Sequence, residues 1–352
     1  MGLGIAIAVG GTPDSDLAGT VWVEVYERMG EMTTYRIRYD YDVQDGDFPL
    51  LADSRIDAGS DLAIIEPVGG KNRYLVKGPV TRQQVHFEQG GSGSWVEVIG
   101  ADTSVKMDRE SQSVLWSEVT DSDVITSVVN KHGYTPDIDT TQAGHFESKH
   151  TLVQQDSDYR FVRRLARRNG LLFWITCDSD GNETAHCKRP QVDATAALDL
   201  VLNLDNNNVP SFDLEWEAER PTSVDAAELD LNAKSDIDGS VAKSPLSALG
   251  KQSLSDIATD TRSVHLVTPT DDSGDLQARG EGALIESGWF IRATCQTTLK
   301  AAGGLVRANT LVNVRGLGKR HSGKYFVAAV RHTIDETAHR MDIELVRNGW
   351  GN

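Results

Sequence analysis

Alternation of apolar and polar positions dominates the first hundred residues. Val21-Trp22-Val23-Glu24-Val25-Tyr26-Glu27-Arg28 alternates. The run Tyr35 to Val43 alternates again, with Tyr35, Ile37, Tyr39 and Tyr41 on one face and Arg36, Arg38 and Asp40 on the other. A period of two in β-branched and aromatic residues is the pattern of half-buried strands. The apolar run from Gly2 to Gly10 predicts a first strand, because it is too short to span a bilayer and lacks a basic leader. Leu62 to Glu66, Tyr74 to Val80, Val85 to Glu88 and Trp95 to Ala101 supply further short strands. Gly69-Gly70 and Gly90-Gly91-Ser92-Gly93-Ser94 read as turns. Many short strands joined by glycine turns predict a barrel or a sandwich.

The period then changes. Val124, Ile125, Val128 and Val129 follow Asp121-Ser122-Asp123 and precede Gly133, which predicts an N-capped amphipathic helix with a glycine stop. A second helix is expected from about Asp158 to Asn169. Phe161, Val162, Leu165 and Ala166 form its apolar stripe, and five arginines (160, 163, 164, 167 and 168) cover the rest. Gly170 ends it. Leu171 to Ile175 reads as a buried strand that returns through a turn at Asp178 to Asn182. From Leu198 to Leu231 the β character resumes, with Phe212, Leu214 and Trp216 alternating with Asp213, Glu215 and Glu217. Ser235 to Thr261, rich in Ser, Asp, Gly and Ala, reads as an exposed loop or insertion. Leu276 to Glu286 looks helical, although Gly280 and Gly282 weaken that reading. Phe290 to Thr298, Leu311 to Val314, Tyr325 to Asp335 and Arg340 to Arg347 close the chain as strands. The expected fold class is mainly β with an α+β insertion.

Composition bounds the function. A chain of 352 residues is expected to form two to four structural units. With 39% hydrophobic and 25% charged residues it is globular. The formal net charge of −17 repels phosphates and argues against nucleic-acid binding. Asp outnumbers Glu and Arg outnumbers Lys, which fits either adaptation to high salt or an acidic surface that avoids nucleic acid. Of the three cysteines, Cys177 and Cys187 flank one turn and are placed to face each other across a hairpin. In a reducing cytosol the expectation is free thiols. There is no CxxC zinc spacing.

The chain carries no GxSxG, P-loop, HExxH or Rossmann glycine pattern. His145 and His150 bracket Glu147 but lack a third ligand, so surface histidines in a polar loop are expected. His332 and His339 flank a turn at Ile334 to Ala338, which predicts a cross-strand pair. Asp271-Asp272-Ser273-Gly274-Asp275 lacks the spaced ligands of a calcium loop and reads as a turn that caps the next helix. No catalytic residue, cofactor or metal is therefore expected. The arginine-rich helix has two readings. Arg163 and Arg167 dock against an acidic neighbouring subunit, or the face is solvated and balanced by Asp156 and Asp158.

Residues 151 to 175 carry one long motif in which Gln154, Ser157, Asp158, Phe161, Arg164, Leu165, Ala166 and Gly170 stand at fixed spacing. This run resembles the signature of the phage late-control D protein and the hub part of VgrG spike proteins, where it links a strand, a helix and the next strand. The helix from Asp123 to Gly133 is similar to a second family element. Gly78-Pro79-Val80-Thr81, Gly316, Gly323 to Val327 and Val330-x-His332 are similar more loosely. The motif holds no nucleophile or metal set, so it marks a fold and not a chemistry.

The resemblance implies two tube-like β-barrel domains, at residues 1–105 and 191–352, with a loop or helical insertion at about 235–288. An α+β domain, 106–190, lies between them. It implies a homotrimer whose six barrels match a hexameric tail tube, with a trimeric spike below. Because the chain stops at Asn352, the spike is expected to be a separate protein. The remaining partners implied are a tail tube or tube-initiator protein and the baseplate wedge proteins. No nucleic-acid recognition and no stable membrane insertion are expected. Such a structural baseplate hub protein is made in the cytoplasm and incorporated into a phage tail, tailocin or cellular contractile injection particle. The competing reading is a cell-wall-directed enzyme or carbohydrate-binding module, in which Trp95, Trp289 and Trp350 stack on sugars.

Overall fold

The computed structural model describes residues 3–41, 48–147, 151–230, 234–268 and 272–351. Val43, His150, Leu231 and Asp271, which figure in the sequence readings, lie outside them. The architecture is mainly β, built on one large antiparallel sheet. At the amino end its strands run in the order Trp22–Arg28, Thr34–Tyr41, Ser94–Ala101, Lys71–His86, Asp61–Val68 and Ala6–Val9. At the carboxyl end they run Gly323–Asp335, His339–Arg347, Ile291–Thr298 and Phe212–Trp216. The two halves meet where Gly323–Asp335 pairs antiparallel with Trp22–Arg28, in register from Ala329 opposite Arg28 to Asp335 opposite Trp22. Both ends of the chain thereby share one continuous ladder.

Where the hydrophobic pattern predicts two strands, at 74–80 and 85–88, the structure has a single strand, Lys71–His86. Its first half pairs with Asp61–Val68 and its second with Ser94–Ala101, with a register shift between Val80 and Arg82. A bulge bends a strand and increases its twist. Here it lets one strand serve two partners around a shared core of Val23, Val25, Tyr35, Ile37, Ile64 and Val98. Gly78 and Gly100 make the bend fit. A Cβ on Gly78 would lie 2.1 Å from the Ala101 carbonyl oxygen, and one on Gly100 would lie 2.2 Å from the Tyr35 ring. The Tyr35 hydroxyl donates to the Gly78 carbonyl at 3.1 Å, so the buried phenol is satisfied.

A second core gathers Val124, Ile125, Phe161, Leu165, Phe173 and Cys187 around the helices Asp121–Lys131 and Asp158–Arg168. A third lies inside the carboxyl-terminal strands, around Phe290, Val312, Tyr325, Val330 and Ile343. The stretch Ser235 to Thr261 is more than a loop. Ser235–Asp238 pairs antiparallel with Ser223–Asp230, and Ser263–Leu266 adds in parallel on the other side. This small sheet packs Val224 and Ala226 against Leu276 and Leu284 of the helix Ser273–Gly288. Its strands are short and mostly polar, so their alternation is too weak to read from sequence.

The cysteines do not face each other. Cys187 lies opposite Phe173 and Cys177 opposite Glu183 in the same hairpin, and all three thiols are free. No described helix is long and apolar enough to cross a membrane.

Candidate assembly site

The signature run folds into a node that ties three parts of the chain together. Leu152–Gln154 pairs antiparallel with Val114–Trp116 and leads into the arginine helix, Asp158–Arg168. Ser157 caps that helix. Its Oγ accepts from the Arg160 N–H at 3.3 Å and donates to Asp108, satisfying an otherwise orphaned donor. Asp158 is buried in the first turn, where a carboxylate complements the helix dipole. It accepts from Gln154 Nε2 at 2.7 Å and Lys131 Nζ at 2.8 Å, and His132 Nε2 lies 2.8 Å away. Burial alone would raise this carboxyl, but the bonds from Lys131, His132 and Gln154 outweigh it and hold it below its ordinary value. Gln154 Oε1 in turn accepts from Trp116 Nε1 at 3.3 Å.

Phe161, Leu165 and Phe173 are all buried. The Tyr159 hydroxyl accepts from the Met32 N–H at 3.0 Å, which fastens the node to the large sheet. Gly170 follows the helix at φ +68, and a Cβ there would meet Ile285 Cδ1 at 2.6 Å. Only glycine suits both the left-handed turn and the contact.

The five arginines each meet a carboxylate of their own chain. Arg160 reaches Asp108 at 3.1 Å, Arg163 reaches Glu31 at 3.8 Å and Arg164 reaches Asp156 at 3.3 Å. Arg167 reaches Glu286 at 2.9 Å. Asp158, expected to balance this face, instead turns inward to Lys131 and His132. Arg160 and Arg167 remain 72% and 78% exposed. Arg163, Arg167, Met29, Leu172, Ile285 and Trp289 line an open groove of about 870 Å³ between the arginine helix, the sheet and the Ser273–Gly288 helix.

Arg168 departs from the others. It is nearly buried and donates to Asp121, with Nε at 2.6 Å from Oδ2. Asn169 Nδ2 donates to the same oxygen at 2.6 Å, and His145 Nε2 lies 2.8 Å from Oδ1. Burial would raise Asp121, but His145, Arg168 and Asn169 hold it down at about 2. His145 is therefore a buried partner of this network, not the surface histidine that its polar surroundings predict.

Among the described residues, no group of three or more His, Cys, Asp and Glu could hold a metal ion. The tryptophans that the competing cell-wall reading would stack on sugars are occupied. Trp289 is buried and stacked on Phe326 at 5.5 Å. The Arg38 guanidinium covers Trp95 at 4.6 Å, and that of Arg320 covers Trp350 at 3.8 Å. Trp216, read from sequence as a strand position and not as a stacking candidate, is the more open ring at 51%.

Comparison with known proteins adds to this picture. The family model described as the Alg8 N-terminal domain matches residues 3–336. No curated protein matches the chain. Among solved structures, the 43 kDa tail protein of prophage MuSo2 from Shewanella oneidensis is 17% identical, with a TM-score of 0.66 and 98% of each chain covered. A tail protein from Neisseria meningitidis is 13% identical with a TM-score of 0.68, covering 99% of this chain and 97% of that one. An E. coli component of the type VI secretion system, described as structurally similar to the T4 tail proteins gp27 and gp5, is 11% identical with a TM-score of 0.61. That match covers 98% of this chain and 79% of the other. At these identities the likeness is one of fold, and the fold is that of phage tail proteins.

Proposed function

This chain belongs to the Alg8 N-terminal domain family; from its tail-protein fold, and not from that membership, we propose that it is a structural baseplate hub protein of a contractile injection machine. The role is one of assembly and not of catalysis. The observation that carries this reading is the single ladder joining the amino-terminal and carboxyl-terminal β units through Trp22–Arg28 and Gly323–Asp335. Two antiparallel β units held edge to edge supply two neighbouring segments of a ring. Three chains then supply six, which fits a homotrimer that joins a hexameric tail tube to a trimeric spike.

In this reading the units divide at residues 1–105, 106–190 and 191–352. The signature residues Gln154, Ser157, Asp158, Phe161, Arg164, Leu165 and Gly170 hold the middle unit together and fix it to its neighbours. Arg163 and Arg167, on the open side of the groove, dock an acidic neighbouring subunit. The partners of this reading are a spike, a tube or tube-initiator protein and wedge proteins, and the particle is a phage tail, a tailocin or a cellular injection system.

Coexpression with a trimeric spike protein of the same particle tests this reading. The expected result is a stable complex that survives size exclusion. A spike that elutes alone, together with peptidoglycan cleavage or sugar binding by the purified chain, would favour the cell-wall reading.

A further inference from the structure

A line of buried titratable groups crosses the seam between the two β units. Glu66 Oε2 lies 3.0 Å from His339 Nδ1, and His339 Nε2 lies 2.9 Å from His332 Nδ1. His332 Nε2 faces Glu27 Oε1 at 3.8 Å. Glu27 Oε2 accepts from the Ala308 N–H at 2.9 Å, and Arg307 Nε stands 2.5 Å from Oε1. Arg307 also donates to the Tyr74 and Leu75 carbonyls at 2.8 and 3.1 Å. Glu27, Glu66 and Tyr74 come from the first β unit, and Arg307, His332 and His339 from the second. All four groups of the line are buried, and His332 is completely so. The histidines are thus more than the cross-strand pair the sequence suggests. Met341, not His339, is the residue opposite His332 in the ladder, and the rings meet diagonally.

Hydrogen-bond arithmetic along the line leaves a gap. If His339 donates Nδ1–H to Glu66, its Nε2 must accept the Nδ1–H of His332. His332 Nε2 is then a bare lone pair that faces a carboxylate oxygen. Both atoms, His332 Nε2 and Glu27 Oε1, are buried without a hydrogen bond; the contact of Arg307 with Oε1 is close and ionic but off the hydrogen-bonding line. A buried acceptor without a donor, as His332 Nε2 is, is costly. One added proton fills the gap.

We propose that this line is a proton-binding site that takes up a single proton between His332 Nε2 and Glu27 Oε1, making the seam between the β units responsive to pH. The groups facing it are few. Arg73 stands opposite Glu66 in the ladder. Lys77, Asp102, Cys177 and Glu183 share the small space beside Arg307, and burial raises the Asp102 carboxyl to about 6. Burial raises the Glu27 carboxyl, with Arg307 opposing. Burial pushes His332 well down, aided by His339 and Arg307. Both directions favour the added proton on Glu27, facing the lone pair of a neutral His332, over an imidazolium. The inference rests on this geometry alone and is independent of the assembly reading.

The test is a titration of the ring nitrogens in the intact chain, carrying ¹⁵N-histidine, from pH 8 to pH 5. The His332 signals are assigned by comparison with His332→Asn. The expected result is a single-proton step for His332 that moves by about one pH unit or more in Glu27→Gln. A His332 signal that stays flat across the range in the wild-type chain overturns the proposal without recourse to any variant. So does the same midpoint in wild type and Glu27→Gln.

Discussion

Leu165 has no exposed surface, so Leu165→Ala removes buried methyl groups from the centre of the middle core. The expected cost is about 2–5 kcal/mol in urea unfolding, and unchanged stability would contradict the packing. That stripe was legible because a helix repeats its buried positions every three to four residues. The polar node beneath it was not. Asp121, His145, Arg168 and Asn169 come from three separate segments, and no period links them. Arg168 looked like one more member of a charged face, yet it is the arginine that goes inward to Asp121. Asp121→Asn leaves that guanidinium without its carboxylate, at an expected cost of about 3–5 kcal/mol near neutral pH. The pH dependence has a definite sign. The Asp121 carboxyl falls from 3.8 to about 2 on folding, so its contribution is full above pH 3.8 and fades as pH drops toward 2. The stability gap between wild type and Asp121→Asn should narrow in that window, and a constant gap would show that the pair does not titrate as described.

Glycines carry the contacts between elements. Gly282 weakened the helical reading of 276–286, and the structure gives the reason for its presence. A Cβ there would lie 2.9 Å from the Gly170 nitrogen and 3.0 Å from the Arg167 carbonyl oxygen, both backbone atoms of the arginine-helix end. Alanine gains about 1 kcal/mol over glycine in a helix interior. Gly282→Ala is nonetheless expected to lower stability, by roughly 1–3 kcal/mol, because backbone cannot move aside as a side chain can. A rise in melting temperature would contradict the helix crossing. Strand Lys71–His86 teaches a related lesson: alternation located its residues but could not say that one strand changes partners at a bulge. The arginine helix itself was legible, whereas its carboxylates at residues 31, 108 and 286 were too distant in sequence to foresee. Exposed pairs of this kind contribute little to folding, under about 1 kcal/mol each. Arg163→Glu with Arg167→Glu should therefore leave the monomer fold intact and abolish assembly. Survival of assembly would mean that the face is only solvated.

At the level of the whole molecule, strand periodicity and the 151–175 run were enough to place the chain among mainly β tail-protein folds. Of the three-stranded sheet around 223–266, the strand Ser223–Asp230 fell within the β reading of 198–231, whereas Ser235–Asp238 and Ser263–Leu266 stayed hidden, because four residues are too few to show an alternation. The seam was equally invisible, since it joins residues 22–28 to residues 329–335 across nearly the full length of the chain. That seam is the basis of the central claim, that the chain is one third of a ring whose six segments are paired two by two. Light scattering at micromolar concentration measures this most directly. The account predicts a particle that holds three 38.4 kDa chains, either alone at three times the chain mass or heavier by the mass of a bound spike partner. A monodisperse monomer under both conditions would contradict it.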